Sequence, residues 1–227
     1  YERTLGQISN SPEEPADEAL ICRYLTPTKF LWFVNQTSVY FSSASGFEDK
    51  RDCDIPDDYK RSIQRFMTNR NVESLAWSEY AESMRARWLV SCWTNLDEDH
   101  DDYLLWHRYA GGKFGVGITL RYGHLKTLLE QSCIKEDKIN EFVSGFVSYN
   151  HPLRKPPFNK RRIFRNEKEI RFVCRADLLP SINIDISQLK KDIGLRFSPD
   201  APQTHIDSVS AVWVKMGGEN RIQISGE

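Results

Sequence analysis

The stretch Arg165-Asn166-Glu167-Lys168-Glu169-Ile170-Arg171-Phe172-Val173 opens with charged residues and passes into a strand-like run, and the fold class is read outward from it. A run of this kind predicts a β-strand, in which side chains at i and i+2 share a face. Glu167 and Glu169 then stand side by side, while Ile170, Phe172 and Cys174 face the core. Two adjacent carboxylates resist ionising together, and nearby cations decide how far their pKa values are pulled apart. That arrangement suits chemistry. The plainer alternative is a half-buried strand whose solvated face carries alternating Lys and Glu.

Just before this strand the chain is strongly basic. Arg154, Lys155, Lys160, Arg161, Arg162, Arg165, Lys168 and Arg171 are offset only by Glu167 and Glu169, and Phe158 and Phe164 lie among them. The whole chain nevertheless has a formal net charge of -1 and a sequence pI near 6.6. Global attraction to nucleic acid or to an anionic membrane is therefore not expected, and any electrostatic partner has to be recruited locally. Lys160, Arg161, Arg162, Arg165 and Arg171 are the candidate phosphate or nucleic-acid contacts. The opposite extreme is the acidic loop from Asp97 to Asp102, which contains His100.

Working back toward the start, residues 1–18 read as a polar, loosely held lead-in, and 19–227 as a single α+β domain. Leu20 to Tyr24 predicts a strand. A helix follows with Thr26 as N-cap, Pro27 at its first position and an apolar set of Phe30, Leu31 and Val34. Val39 to Ser43 predicts a second strand, which makes Arg23 and Ser42 plausible neighbours. Residues 44–59 read as a surface loop. Ile63, Phe66 and Met67, then Ala76, Trp77, Tyr80, Ala81, Met84 and Trp88, have helical spacing.

Trp88 to Trp93 predicts a strand, and Tyr103 to Ala110 a short helix stopped by Gly111-Gly112. Phe114 to Leu120 alternates as a strand with Gly115 and Gly117 on one face, which marks close approach of a backbone or ligand, or a bend. Neither a dinucleotide fingerprint nor a Walker motif is present. Tyr122 to Gln131 predicts a helix, and Ile139 to Tyr149, Ile182 to Ile186, His205 to Val214 and Arg221 to Ile224 predict further strands. Strands mixed among irregularly placed helices indicate the α+β class.

The five cysteines are widely spaced and form no CxxC pair, so they read as reduced thiols of a cytoplasmic protein, mostly buried in strands. His100 and His107 lack cysteine partners at zinc-ligand spacing, so no metal is expected. No apolar run is long enough to cross a membrane, and the first residues show no secretory signal.

Four stretches taken in order resemble the bacterial family catalogued as domain of unknown function 2971: Arg23-Tyr24 through Tyr40-Phe41-Ser42-Ser43; Ser91-Cys92-Trp93; Trp106-His107-Arg108-Tyr109-Ala110 with Gly115-Val116-Gly117-Ile118; and Asn166 to Phe172. The similarity spans about residues 21–215. Where that family has Asn-Asp-Pro-Phe after the serines, this chain has Gly46-Phe47-Glu48-Asp49. Arg23, a strand with serine, and Glu-x-Glu on a later strand also resemble the arginine-serine-glutamate class of ADP-ribosyltransferases.

That resemblance implies a split β-sandwich of twisted mixed and antiparallel sheets with peripheral helices, and NAD as a substrate. Carried over position by position, it implies that Arg23 holds the NAD phosphates or ribose and that Ser42 or Ser43 fixes the nicotinamide ribose. Glu169 is then the catalytic glutamate and Glu167 the acceptor-side residue. Tyr24, Trp106 and Tyr109 are implied to stack on nicotinamide or adenine; the plain alternative for Trp106 and Tyr109 is the core of a short helix. The acceptor implied is RNA, DNA or a protein, in a toxin or antiviral-defence effector controlled by an antitoxin or regulatory partner. The competing expectation is a nucleic-acid- or nucleotide-binding module without catalysis, an inactive scaffold or sensor.

Overall fold

Apolar residues at alternating or helical spacing form the elements of this chain, and Thr26, Pro27, Thr37, Gly111 and Pro202 stand at helix ends. A computed structural model describes residues 11–49, 51–53, 60, 61, 65, 77–96, 102–135, 139–149, 156–177 and 179–226. In chain order the elements used below are β1 (Leu20–Leu25), α1 (Pro27–Gln36), β2 (Ser38–Ser43), α2 (Trp77–Ala86) and β3 (Trp88–Asn95). Then come β4 (Val116–Arg121), α3 (Tyr122–Ile134), β5 (Ile139–Phe146), β6 (Glu169–Ala176), β7 (Ser181–Asp185), β8 (Gly194–Phe197), α4 (Gln203–Lys215) and β9 (Ile222–Ile224). The fold is mixed α+β, with mostly antiparallel strands and a few helices.

The chain divides into two units interleaved in sequence. The first comprises residues 1–14, 41–91 and 136–182. In it β5 pairs antiparallel with β6 from Ile139↔Ala176 to Phe146↔Ile170, with a bulge between Ile139 and Glu141. The end of β2 pairs with the start of β3 through Ser42↔Val90 and Ser43↔Leu89. Every residue of β6 except Arg175 is buried, so this strand is covered on both faces. Residues 11–14 are held more firmly than a loose lead-in: Pro12 is buried, and the Glu13 carbonyl accepts from the Phe146 amide at 2.7 Å.

The second unit comprises residues 15–40, 92–135 and 183–227. Its strands run in the order β3, β1, β4, β8, β9, antiparallel except for the parallel pair β8 and β9. In α1, Thr26 accepts from the Lys29 amide and Pro27 takes the first turn, as the sequence predicts. Its buried face is Phe30, Phe33 and Val34, whereas Leu31 is 56% exposed. One α-turn, Tyr103–Leu105, runs directly into a π-helical turn, Trp106–Ala110, and Gly111 ends it with φ 78°. Gly117 lies where β4 meets Cys22, Arg196 and Trp106, so the strand glycine marks close packing.

Three readings of the sequence are corrected here. His205 to Val214 is helical: Ile206, Ser210 and Trp213 are buried at i, i+4 and i+7, a period that a strand cannot present to one core. Phe114 belongs to a single 3-10 turn, Gly112–Phe114, and β4 starts two residues later. The strand Gly194–Phe197 was not anticipated, because four residues opening on glycine give too short an alternation to register. The expected helical residues Ile63, Phe66, Met67 and Ala76, the acidic residues 97–101 with His100, the basic pair Arg154 and Lys155, and the first ten residues lie outside the described residues. Among those described, no helix is long and apolar enough to cross a membrane.

Candidate active site

Lys168 decides how the two glutamates meet. A 3-10 turn, Arg162–Glu167, ends at Lys168 in the left-handed region, φ 42°, and β6 begins one residue later at Glu169. Glu167 therefore closes a turn and Glu169 opens a strand, so they are not i, i+2 neighbours on one strand face. They converge all the same. The Lys160 ammonium lies 2.6 Å from Glu167 Oε2 and 2.6 Å from Glu169 Oε2, with Asp52 Oδ2 at 3.8 Å.

Arg171 completes the cluster. Its Nε donates to Glu169 Oε1 at 2.7 Å, and Nη2 donates to Asp52 Oδ1 at 2.7 Å and to Glu169 Oε2 at 3.2 Å. Nη1 donates to the Pro157 carbonyl at 2.6 Å and to Cys53 Sγ at 3.0 Å. The Glu169 amide donates to the Tyr149 hydroxyl at 3.0 Å. Glu167, Glu169 and Arg171 are 7%, 4% and 0% exposed, which overturns the picture of a solvated Lys/Glu strand face. Charged side chains are buried here because each meets an opposite charge at hydrogen-bond distance.

The electrostatics follow from that crowding. Burial alone would drive the Lys160 ammonium toward neutrality, but Glu169, Glu167 and Asp52 outweigh both burial and the repulsion of Arg171, and hold its pKa above the ordinary value. Burial pushes the Cys53 thiol up to about 12, with Arg171 opposing only in part. Burial, then the charge of Glu169, raises the Tyr149 hydroxyl above its ordinary value. The Cys53 thiol is thus neutral at pH 7 and a poor nucleophile.

The other expected residues distribute as follows. Of the basic set, Lys160 and Arg171 are consumed by this buried network and do not belong to an exposed phosphate-binding surface. Arg161 is exposed and forms a two-point pair with Asp49 at 3.0 and 2.7 Å, while Arg162 and Arg165 are exposed. Ser42 sits in the first unit opposite Val90. Ser43 caps the turn Ala44–Gly46, with its hydroxyl 2.8 Å from that of Ser45 and its amide bonded to the Pro180 carbonyl.

Arg23 belongs to the second unit. Its Nη2 donates to the Tyr40 carbonyl at 3.1 Å and its guanidinium lies 6.0 Å from the Trp93 ring. Burial lowers its pKa, against the opposing influence of Cys92 and Tyr40. Tyr24 and Trp106 are 8% and 0% exposed and pack edge-on at 4.9 Å, so they are core residues and present no face to a nicotinamide or adenine ring. Tyr109 is 39% exposed, with the Arg108 guanidinium 5.4 Å from its ring.

Two sets of polar residues were missed. Asp52, Cys53 and Tyr149 join the first-unit network, and the only signal for Asp52 was the excess of cations at 154–171, which demands acidic partners. In the second unit Asp102, 1% exposed, accepts from Tyr24 Oη at 2.7 Å, from Arg196 Nε at 3.0 Å and from the Ser225 hydroxyl. Burial pushes its carboxyl up, but the bonds from Ser225 and Tyr24 and the charge of Arg196 prevail and hold its pKa below the ordinary value. Among the described residues no group of three or more His, Cys, Asp or Glu side chains is placed to hold a metal ion. No family model, no curated protein and no solved structure matches the chain.

Proposed function

We propose that this chain consumes NAD and transfers ADP-ribose to a nucleic-acid or protein acceptor, with Glu169 acting on the nicotinamide ribose and Glu167 on the acceptor. The observation that carries the reading is the meeting of both carboxylates on one ammonium at 2.6 Å each, in a buried cluster of five acidic and basic side chains. Burying charge costs several kcal/mol per ion before pairing, so such a cluster is an expensive way merely to hold a fold and is a common mark of a functional site. Cleaving the bond between ribose and nicotinamide builds positive charge on the sugar. A fixed carboxylate beside it stabilises the transition state more than the ground state.

In this role Glu169 exchanges the Lys160 ammonium for a ribose hydroxyl, and Glu167 retains Lys160 while it orients the acceptor. Ser42, which belongs to the same unit as the two glutamates, takes an NAD-binding part, and the fold in this reading is an ADP-ribosyltransferase-like split sandwich. With labelled NAD and cell lysate, the wild-type chain is expected to release nicotinamide, and Glu169→Gln, assayed where circular dichroism shows it folded, to lose roughly 10²- to 10³-fold in rate. Absence of nicotinamide release from a folded wild-type chain overturns the reading, as does full activity in Glu169→Gln.

One observation favours a second reading. Both oxygens of Glu169 are already engaged, by Lys160 and by Arg171. The cluster is then a clamp that stiffens the turn before β6 in a nucleotide- or nucleic-acid-binding module without chemistry, and NAD turnover is nil in every variant.

A further inference from the structure

The six-residue turn Arg162–Glu167 has three edges, because side chains three apart eclipse in a 3-10 helix. One edge, continued back to Arg161, carries Phe164 and Glu167 and is the anchored one. The Arg161 guanidinium lies 5.1 Å from the Phe164 ring, the Lys160 ammonium 5.0 Å from the same ring, and Glu167 is bound to Lys160. A second edge carries Arg162 and Arg165, both exposed. Neither side chain makes a hydrogen bond or ion pair with another of the described residues. A rise of 2.0 Å per residue separates them by about 6 Å along the turn. The third edge carries Ile163, 71% exposed, and Asn166.

We infer that Arg162 and Arg165 grip two successive phosphates of a single-stranded nucleic acid. Guanidinium forks match phosphate oxygens two at a time, and a regular pair of cations fits an anion that repeats along a chain. The anchored edge contributes by fixing the turn, so little order is lost when the arginines bind. Exposed Ile163 on the adjoining edge gives an unpaired base an apolar surface, which duplex DNA would not use. With a net charge of -1, the chain has no general pull on polyanions, so the contact is local. This inference stands apart from NAD turnover and holds whether the neighbouring glutamates are catalytic or structural.

The test is fluorescence anisotropy with a short labelled single-stranded RNA and no NAD, over a series of salt concentrations, beside phosphatidylserine vesicles and a polyglutamate peptide. Binding to the RNA is expected, with log K falling against log salt with a slope of about -1.4, from two contacts at about 0.7 each. Arg162→Glu and Arg165→Glu should each weaken it roughly tenfold or more. Both side chains are exposed, so the variants should unfold at the wild-type denaturant concentration, and Glu169→Gln should bind RNA as the wild type does. The inference is overturned by no RNA binding at low salt, by unaltered binding in the double arginine variant, or by equal or tighter binding to the vesicles or the peptide. Loss of NAD consumption alone leaves RNA binding in place, which separates the two proposals.

Discussion

Among the described residues, Lys160 balances carboxylates contributed by three separate positions, Asp52, Glu167 and Glu169, and Arg171 shares the task through Glu169 and Asp52. Lys160→Met keeps the stem and deletes the charge, leaving buried carboxylates short of a partner. The expected loss of stability is about 3–5 kcal/mol at neutral pH, measured by urea unfolding. Its pH dependence has a definite sign. The folded-state pKa of Lys160 is raised, so its contribution is fully present below the unfolded value of 10.5 and fades only as pH climbs through the folded one. The gap between wild type and Lys160→Met should therefore stay level across the neutral range and narrow only in strongly alkaline solution. A gap that closes near neutrality would show that Lys160 is not held charged by these carboxylates.

At the scale of elements, β4 shows why a strand glycine is retained. A Cβ on Gly117 would sit 2.8 Å from Cys22 Sγ, 3.2 Å from Arg196 Cβ and 3.4 Å from the Trp106 ring. Those neighbours belong to β1, β8 and the π-helical turn, so none can move alone. Gly117→Ala is expected to cost about 1–3 kcal/mol through overpacking, visible as a lower urea midpoint with an unchanged slope. Wild-type stability in this variant would mean that the junction is slack. The same scale explains what could be read in advance. Thr26-Pro27 and Gly111-Gly112 mark their boundaries through local chemistry, a side-chain cap and a left-handed backbone, and the element ends fall there. The run His205 to Val214 carries valines that suit a strand, yet packing of Ile206, Ser210 and Trp213 makes it α4. Propensity is a small effect that tertiary burial overrides.

Across the whole chain, the five thiols report on how evenly it is packed. Cys22, Cys53, Cys133 and Cys174 are buried and only Cys92 is partly accessible, and burial drives the pKa of Cys22 and Cys53 upward. A thiol reagent at neutral pH should label Cys92 first in the native protein and all five cysteines after denaturation. Fast labelling of Cys53 in the native state would be incompatible with its place beside Arg171. The amino-acid sequence by itself determined the α+β class, most strands, the Thr26-Pro27 helix start and the Gly111 helix stop, because alternation, capping and turn chemistry act between near neighbours. Only the tertiary structure decided that Glu167 and Glu169 are buried, that Tyr24 and Trp106 are core, and that Lys160 and Arg171 are spent internally while Arg162 and Arg165 face outward. The physical reason is range: Arg171 and Asp52 stand 119 positions apart, and the attraction between charges leaves no register in the sequence to show which distant residues will be brought together.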